Sequence, residues 1–185
     1  LTGDLKLEGR TWGPVLSADY AILVGNRAVF ASQKLSDTDM PKTWADLGRM
    51  AARLAVKGKR AGLAFVGMGD LACVWLAIAR QSGGEEPVKL TDNGIEINMS
   101  CESARRATQA FADLGSIVRP AGPDVVVVQD KFLQAAFIDG KVAMVIGPLG
   151  FVDERWDAPE GPHVQASRPL LAPIPGPVMN EPVTF

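Results

Sequence analysis

Side chains able to perform catalysis are sparse in this sequence. His163 is the only histidine, and it lies in the glycine- and proline-containing segment 161–163. Nucleophilic catalysis by serine or cysteine needs a base, an orienting acid and an activated nucleophile, and the sequence marks no such set. The two cysteines and the single histidine lie at spacings unlike those of a zinc motif. We therefore expect a protein that is not an enzyme and that uses neither a cofactor nor a metal ion.

The stretch Gly67-Met68-Gly69-Asp70 suggests a different chemistry, the binding of a small ligand at the start of a helix. It lacks the third glycine of a dinucleotide fingerprint and the lysine of a P-loop, so a nucleotide site is not indicated. An acidic cap at Asp70 would also repel a phosphate. A ligand-facing turn fits better, with Met68 adapting to ligand shape and Asp70 accepting hydrogen bonds from hydroxyl groups. A plain helix cap without ligand contact explains the same residues equally well.

The stretch 131–151 contains the elements that would position a binding site. A helix capped by Asp130 and ended by Gly140 is predicted to place four apolar side chains on one core-facing side: Phe132, Leu133, Ala136 and Phe137. The apolar run 142–146 predicts a strand covered on both sides. Ligands of open α/β sheets bind beyond the carboxyl ends of strands, so the strongest candidate site is the loop that follows. Its candidate residues are Gly147, Pro148, Leu149 and Phe151.

Strands and helices alternate along the rest of the chain, which predicts an α/β fold with a partly parallel sheet flanked by helices. Strands are expected at 20–24, 61–66 and 170–172, and hairpins near 5–15 and 88–97. Helices are expected at 27–32, from a Thr43 cap to Gly58, at 71–81, and after a Ser100 cap. Trp44 is assigned to the core by its helical spacing, and the helix at 71–81, with Trp75, is expected to be buried on most sides.

Composition limits the classes of partner. A chain of 185 residues with a net charge of −2 has the size of one domain and lacks the basic surface that nucleic acids require. No apolar run reaches the roughly 20 residues of a membrane-spanning helix. The sequence begins at Leu1 without a signal-peptide pattern, which indicates a piece of a longer protein. Cys73 and Cys101 are either a disulfide of an exported protein or two small buried side chains, and both interpretations stay open.

Three segments together resemble one protein family. They are AFIDGKVAMVIGP at 136–148, PKTWADL at 41–47 and PIPG at 173–176. In this order and at these separations they resemble the family 1 extracellular solute-binding proteins, the maltose-binding-like receptors of ABC importers. The resemblance extends through most of the chain. It implies binding without chemistry, in a cleft between two α/β lobes that closes on a small solute and is then recognised by a membrane permease.

The resemblance also implies a division of the chain. Residues 1–19 would form the end of a first lobe and the crossing segment, 20–180 most of the second lobe, and 181–185 the start of the returning hinge strand. Asn26 matches the family's asparagine just after the crossing strand. Ser17, Asp19 and Tyr20 lie at the inferred crossing. There they would bind ligand and report closure, or simply form a solvated hinge.

The ligand implied by the resemblance is a carbohydrate or a related polar compound. In sugar-binding relatives the Gly-Pro element often continues with a tryptophan that stacks on the sugar ring, whereas this sequence has Leu149. Phe151 or Trp156 would then have to supply the aromatic platform. The implied protein is an exported monomer, periplasmic or extracellular, with or without a lipid anchor. The alternative is the same module serving as the extracellular ligand-sensing domain of a signalling receptor.

Overall fold

The described part of the chain, in a computed structural model, forms eight strands and five helices. It comprises residues 4–7, 10–14, 21–66, 68–91, 94–118, 130–148, 151 and 169–176. The strands are β1 (Asp4–Leu7), β2 (Arg10–Pro14), β3 (Ala21–Asn26), β4 (Ala64–Phe65), β5 (Val88–Thr91), β6 (Gly94–Ile97), β7 (Met144–Pro148) and β8 (Pro169–Pro173). The helices are α1 (Arg27–Ser32), α2 (Trp44–Leu54), α3 (Met68–Gln81), α4 (Glu102–Val118) and α5 (Asp130–Ile138), with a 3-10 turn at Asp37–Asp39.

A four-stranded mixed sheet in the order β4-β7-β3-β8 is the centre of the fold. β4 and β7 are parallel, whereas β3 is antiparallel to both of its neighbours, β7 and β8. The predicted α/β class with a partly parallel sheet is therefore confirmed. The run 142–146 is buried throughout, as predicted for a strand covered on both sides. Both predicted hairpins are also present, as the antiparallel pairs β1-β2 and β5-β6.

Two apolar clusters cover the two faces of the main sheet. Successive residues of a strand point to opposite faces, so the neighbours Met144 and Val145 belong to different clusters. The Met144 side packs on four helices through Phe30 of α1, Leu47 of α2, Ile78 of α3 and Ala107 of α4. The Val145 side packs on α5 through Leu133 and Phe137. The result is three layers, in which helices cover a single sheet from both sides.

The starts of α1 and α2 follow capping chemistry. Asn26 ends β3, and its Oδ1 accepts a hydrogen bond from the Val29 amide at 3.0 Å, so α1 begins at Arg27 as predicted. Thr43 caps α2 as predicted, because its Oγ1 accepts a hydrogen bond from the Asp46 amide at 3.1 Å. The same hydroxyl donates to the Asp46 carboxylate at 2.7 Å and thereby holds the pKa of Asp46 below its ordinary value.

The end of α2 differs from the prediction. The helix ends at Leu54 rather than at Gly58, because Arg60 Nε donates to the Leu54 carbonyl oxygen at 2.7 Å. Val56 and Arg60 then form an isolated bridge, and Gly58, with a φ of 70°, lies in the turn between them. A basic side chain from outside the helix thus satisfies the carbonyl group that the prediction left to a glycine cap.

The start of α4 corrects a second prediction. The helix begins at Glu102, so Ser100 is not its cap. The Ser100 hydroxyl instead donates to Asn98 Oδ1 at 2.8 Å, in the turn that follows β6. In contrast, Gly140 ends α5 as predicted, with a φ of 69° that suits glycine.

Burial on α5 and α3 is more one-sided than the sequence suggests. Leu133 and Phe137 are fully buried as predicted, but Phe132 is 60% exposed. On α3, Val74 and Ile78 are buried, whereas the neighbouring turn is exposed at Ala72 and Cys73. The prediction that α3 is buried on most sides is therefore wrong, because only one face of this helix meets the sheet and α4.

The two helical tryptophans lie at the edge of the core rather than inside it. Trp44 and Trp75 are both partly buried and pack against the cluster on the Met144 side. Each indole N–H has a polar partner: Trp44 Nε1 donates to Gln81 at 3.0 Å, and Trp75 Nε1 donates to Thr108 at 3.2 Å. The assignment of both residues to the core interior is thereby corrected, because an indole N–H needs a hydrogen-bond acceptor at its rim.

Cys73 and Cys101 are both free thiols, the first exposed and the second buried. No disulfide therefore joins them in this structure. Trp156, His163 and the inferred hinge strand at 181–185 lie outside the described residues. Among the residues that are described, none belongs to a helix with the length and apolarity needed to cross a membrane.

Candidate functional site

Sheet topology brings four separate parts of the chain to one edge of the main sheet. β4 and β7 run parallel, so their carboxyl ends meet there, with Phe65 in register with Ile146. β3 runs the other way, so its first residue, Ala21, is paired with Pro148 at the end of β7. β8 also ends here, since Pro173 is paired with Ile22. We call this the carboxyl edge, defined by Ala21, Phe65, Pro148 and Pro173.

The predicted site residues lie in, or next to, the segments that meet at the carboxyl edge. Gly147 and Pro148 are the last two residues of β7. The segment with Met68, Gly69 and Asp70 follows β4 closely, since only residues 66 and 67 separate it from the strand. Ser17, Asp19, Tyr20 and Leu149 lie outside the described residues. Their described neighbours Ala21 and Pro148 are paired with each other, so the chain connects these segments to adjacent points of the edge.

Gly147 has a structural reason to be glycine. It is buried, and a Cβ atom at this position would lie 2.3 Å from Val66 Cγ2. Val66 in turn donates its amide hydrogen to the Ile146 carbonyl oxygen, at 3.1 Å. The missing side chain therefore lets the end of β4 pack directly on the end of β7. This close packing fixes the separation of the two segments that lead into the candidate site.

The start of α3 corrects the prediction for Asp70. The helix begins at Met68, so Met68, Gly69 and Asp70 form its first turn instead of a loop followed by a cap. A carboxylate in the first turn is still favourable, because the amino end of a helix carries partial positive charge. Backbone amides of this turn also lack acceptors within the helix, which makes the start of α3 suited to a ligand with acceptor oxygens.

Phe151 has a different position from the one its candidate role requires. Its side chain is 3% exposed and meets the Phe137 ring edge to face, with centroids 6.1 Å apart. Gln134 Nε2 donates to the Phe151 carbonyl oxygen at 2.9 Å. The ring is thus part of the core beneath α5 and offers no face for stacking on a sugar. The ring contact and the hydrogen bond join Phe151 to α5.

Sequence reasoning missed the contribution of the segment after β8. The segment PIPG at 173–176 was noted only as part of the family resemblance, whereas in the structure Gly176 forms a parallel bridge with Thr43. The Trp44 backbone amide donates to the Gly176 carbonyl oxygen at 3.3 Å, and the Gly176 backbone amide donates to the Lys42 carbonyl oxygen at 3.0 Å. This contact ties the end of β8 to the start of α2. The only sequence signal for this contact was that the PKTW and PIPG segments occur together in one family.

The described part of the carboxyl edge carries apolar side chains and backbone, without an ionisable group. Ala21, Ile22 and Pro148 are partly buried, and Phe65 and Val66 are buried. Such a surface suits the apolar face of a neutral ligand, with polar contacts left to backbone groups and to a few side chains from the flanking segments. None of the described residues that define this edge has a side chain for nucleophilic or acid–base chemistry.

A three-layer lobe that gathers its loops at one end of the sheet has the periplasmic-binding-protein-like fold. Solved structures of other proteins share this fold. The solute-binding protein of Agrobacterium vitis S4 with bound D-mannitol is 15% identical, with a TM-score of 0.65 over 91% of this chain and 40% of that chain. The GacH receptor of Streptomyces glaucescens, solved with acarbose, is 20% identical, with a TM-score of 0.59 over 90% and 41%. Maltose-bound MalE3 of T. maritima is 18% identical, with a TM-score of 0.61 over 90% and 42%.

The family follows from the sequence as a whole. The family described as bacterial extracellular solute-binding protein matches residues 2–180. The chain therefore belongs to the bacterial extracellular solute-binding proteins, which confirms the resemblance carried by the three sequence segments. It spans about two fifths of the length of the three solved structures. No curated protein matches the sequence.

Proposed function

We propose that this chain forms one wall of a cleft that binds a small polyhydroxy solute, a sugar or polyol, for delivery to an ABC permease. The observation that carries the proposal is the meeting of β4, β7 and the start of β3 at one edge. Residues 1–19 would complete a first lobe and lead into the crossing, 20–180 form most of the second lobe, and 181–185 begin the return. Binding would involve no chemical step. The ligand would favour the closed state, because only that state contacts the ligand from both lobes.

The proposed ligand contacts come from the three segments at the carboxyl edge. Ser17, Asp19 and Tyr20 would approach the ligand from the crossing, and Gly147, Pro148 and Leu149 from the end of β7. The first turn of α3 would contribute Met68, Gly69 and Asp70. Phe151 would act indirectly, by holding the loop after β7 against α5 through its buried ring. The aliphatic Leu149 suits a linear polyol or a small sugar, because such a ligand does not require an aromatic side chain to stack on.

The solute class is supported by the related structures. D-mannitol, acarbose and maltose are the ligands of the three structures with this fold, and each presents many hydroxyl groups. Hydroxyl groups pair well with an acidic side chain and free backbone amides at a helix start, whereas the apolar edge matches carbon-bound hydrogens. We place the protein outside the cytoplasm, because its family is extracellular. We also propose that it is a monomer, which meets the permease only in the closed state.

The proposal is tested by a thermal-shift panel on the full-length protein with D-mannitol, maltose, an amino acid and a dipeptide. A ligand present at a hundred times its dissociation constant adds about 2.7 kcal/mol of stability if it binds only the folded state. We expect a rise with mannitol or maltose alone. A rise confined to the amino acid or the dipeptide would contradict the polyhydroxy class.

A matched pair of variants tests the site itself. We expect Asp70→Asn to weaken binding about tenfold or more, because a hydrogen bond to a charged group is worth about 1.5–3 kcal/mol. Asp139→Asn is the control, since this exposed carboxylate pairs with Lys141 at 2.9 Å in the turn before β7, away from the carboxyl edge. Isothermal calorimetry would measure both. Equal affinities for the wild type and Asp70→Asn would remove the start of α3 from the site.

A further inference from the structure

A groove separate from the carboxyl edge lies between the 3-10 turn and α2. Its volume is about 310 Å³, within the range of small-molecule sites. The lining residues come from a single continuous part of the chain, 38–53, and none of them belongs to the main sheet. The groove is therefore a concave surface that the proposed solute site does not use.

The floor of the groove is apolar and fixed by the core. Met40 is 7% exposed and packs into the cluster on the Met144 side, where Gly25 makes room for it. A Cβ atom at Gly25 would lie 2.8 Å from the Met40 sulfur. Pro41 is buried, and Met50 is partly buried against the same cluster. A ligand in this groove would meet an apolar floor of two methionine side chains and a proline ring.

The rim of the groove carries more positive than negative charge. Lys42, Arg49 and Arg53 line it together with Asp39 and Asp46. Both carboxylates are engaged locally. Asp39 Oδ2 accepts hydrogen bonds from the Ser36 amide and hydroxyl at 2.7 and 2.8 Å, and these bonds hold the pKa of Asp39 below its ordinary value. Asp46 accepts from Thr43 at 2.7 Å and from Arg49 at 2.5 Å.

The cationic side chains keep most of their donors unused. Lys42 is exposed, and its ammonium makes no ion pair or hydrogen bond with another described residue. Arg49 uses one of its five N–H donors, toward Asp46, and Arg53 uses one, toward the Gln33 carbonyl oxygen at 3.1 Å. The rim therefore offers surplus donors and one surplus positive charge above an apolar floor.

From this combination we infer that the groove between the 3-10 turn and α2 is a second binding site, which takes a small organic anion with a carboxylate on an apolar body. The carboxylate would lie between Lys42 and Arg49, and the apolar body would contact Met40, Pro41 and Met50. Planar guanidinium groups suit carboxylates, and the thioethers adapt to the shape of an alkyl chain. This site is independent of the solute class bound at the carboxyl edge.

The test follows backbone amide chemical shifts of the full-length protein during titration with hexanoate, at about 0.15 M salt, where exposed charges are screened over roughly 8 Å. We expect saturable shifts of amides within 38–53, and weaker or no shifts there with hexanamide or inorganic phosphate. Hexanamide keeps the apolar body without the charge, and phosphate keeps the charge without the apolar body. Equal binding of either probe, or no saturable shift with hexanoate, would overturn the inference.

Variants at the rim provide the second readout. Lys42→Gln and Arg49→Gln should each raise the hexanoate dissociation constant about twofold to fivefold, as expected for partly exposed ion pairs. The control is Arg105→Gln, because Arg105 forms the same i,i+3 ion pair with a first-turn acid, Glu102, at a side-chain exposure of 70% against 73% for Arg49. An equal effect of Arg105→Gln would show a general charge effect and would refute the site.

Discussion

The carboxyl edge of the main sheet and the β5-β6 hairpin are both places where strands end, but different interactions hold them. At the carboxyl edge, β7 is paired on both sides and Gly147 packs against Val66. In the hairpin, β6 is paired with β5 alone, and each of its four residues is exposed. Ile95 and Ile97 are 68% and 67% exposed. One region is fixed by the core, and the other by its own hydrogen bonds.

The hairpin has hydrogen bonds near both of its ends. Thr91 Oγ1 donates to the Gly94 carbonyl oxygen at 3.0 Å, and Gly94 adopts a φ of 124° that only glycine takes readily. The Asn98 backbone amide donates to the Pro87 carbonyl oxygen at 2.8 Å, at the end of the hairpin opposite its turn. Residues at the carboxyl edge can therefore tolerate almost no change of side-chain shape. Residues of the hairpin need only keep the pairing of its two strands.

The largest expected effect is at the core beneath the edge. Phe137→Ala should lower the free energy of unfolding by about 3–5 kcal/mol, because this fully buried ring supports Phe151 and the β7 strand. Phe132→Ala, on the same helix but 60% exposed, should cost less than about 1 kcal/mol. Urea unfolding measures both. Similar losses for the two variants would show that α5 does not present one face to the core.

A smaller effect is expected at the contact that sets the edge geometry. Gly147→Ala should cost about 1–3 kcal/mol, since its methyl group would overlap Val66. The double variant Gly147→Ala with Val66→Ala should be more stable than the sum of the two single losses predicts, because the second change opens the needed space. Strictly additive losses in a double-mutant cycle would mean that the overlap is relieved elsewhere.

The smallest effect is expected in the hairpin. Ile97→Thr keeps a β-branched residue opposite Val88 and removes only exposed apolar surface, so the change in unfolding free energy should stay within about 0.5 kcal/mol. Cross-strand amide protection in hydrogen exchange should be unchanged. A loss above roughly 1.5 kcal/mol would show that this face is covered in the folded protein, and the contrast between the two regions would then disappear.

Sequence pattern predicted the local structure well wherever one residue has one short-range task. The Thr43 cap, the Gly140 terminator and the pairing of β5 with β6 were all predicted, because each depends on residues that are close together in the chain. Two predictions for helices were wrong because groups outside the helix decided where it ends or which face is buried. Arg60 ends α2 before Gly58, and the sheet meets only one face of α3.

The sequence by itself determined the α/β class, the family and the short segments that could meet a ligand, because periodicity, capping and motif order are properties of the linear chain. Only the tertiary structure decided that the ends of β4 and β7 and the start of β3 share one edge, since that depends on β3 running antiparallel to β7 while β4 runs parallel. It also decided that Phe151 is a core residue and that Gly147 is needed for contact with Val66. Strand direction and side-chain packing arise from contacts between residues far apart in the chain, which no local pattern encodes.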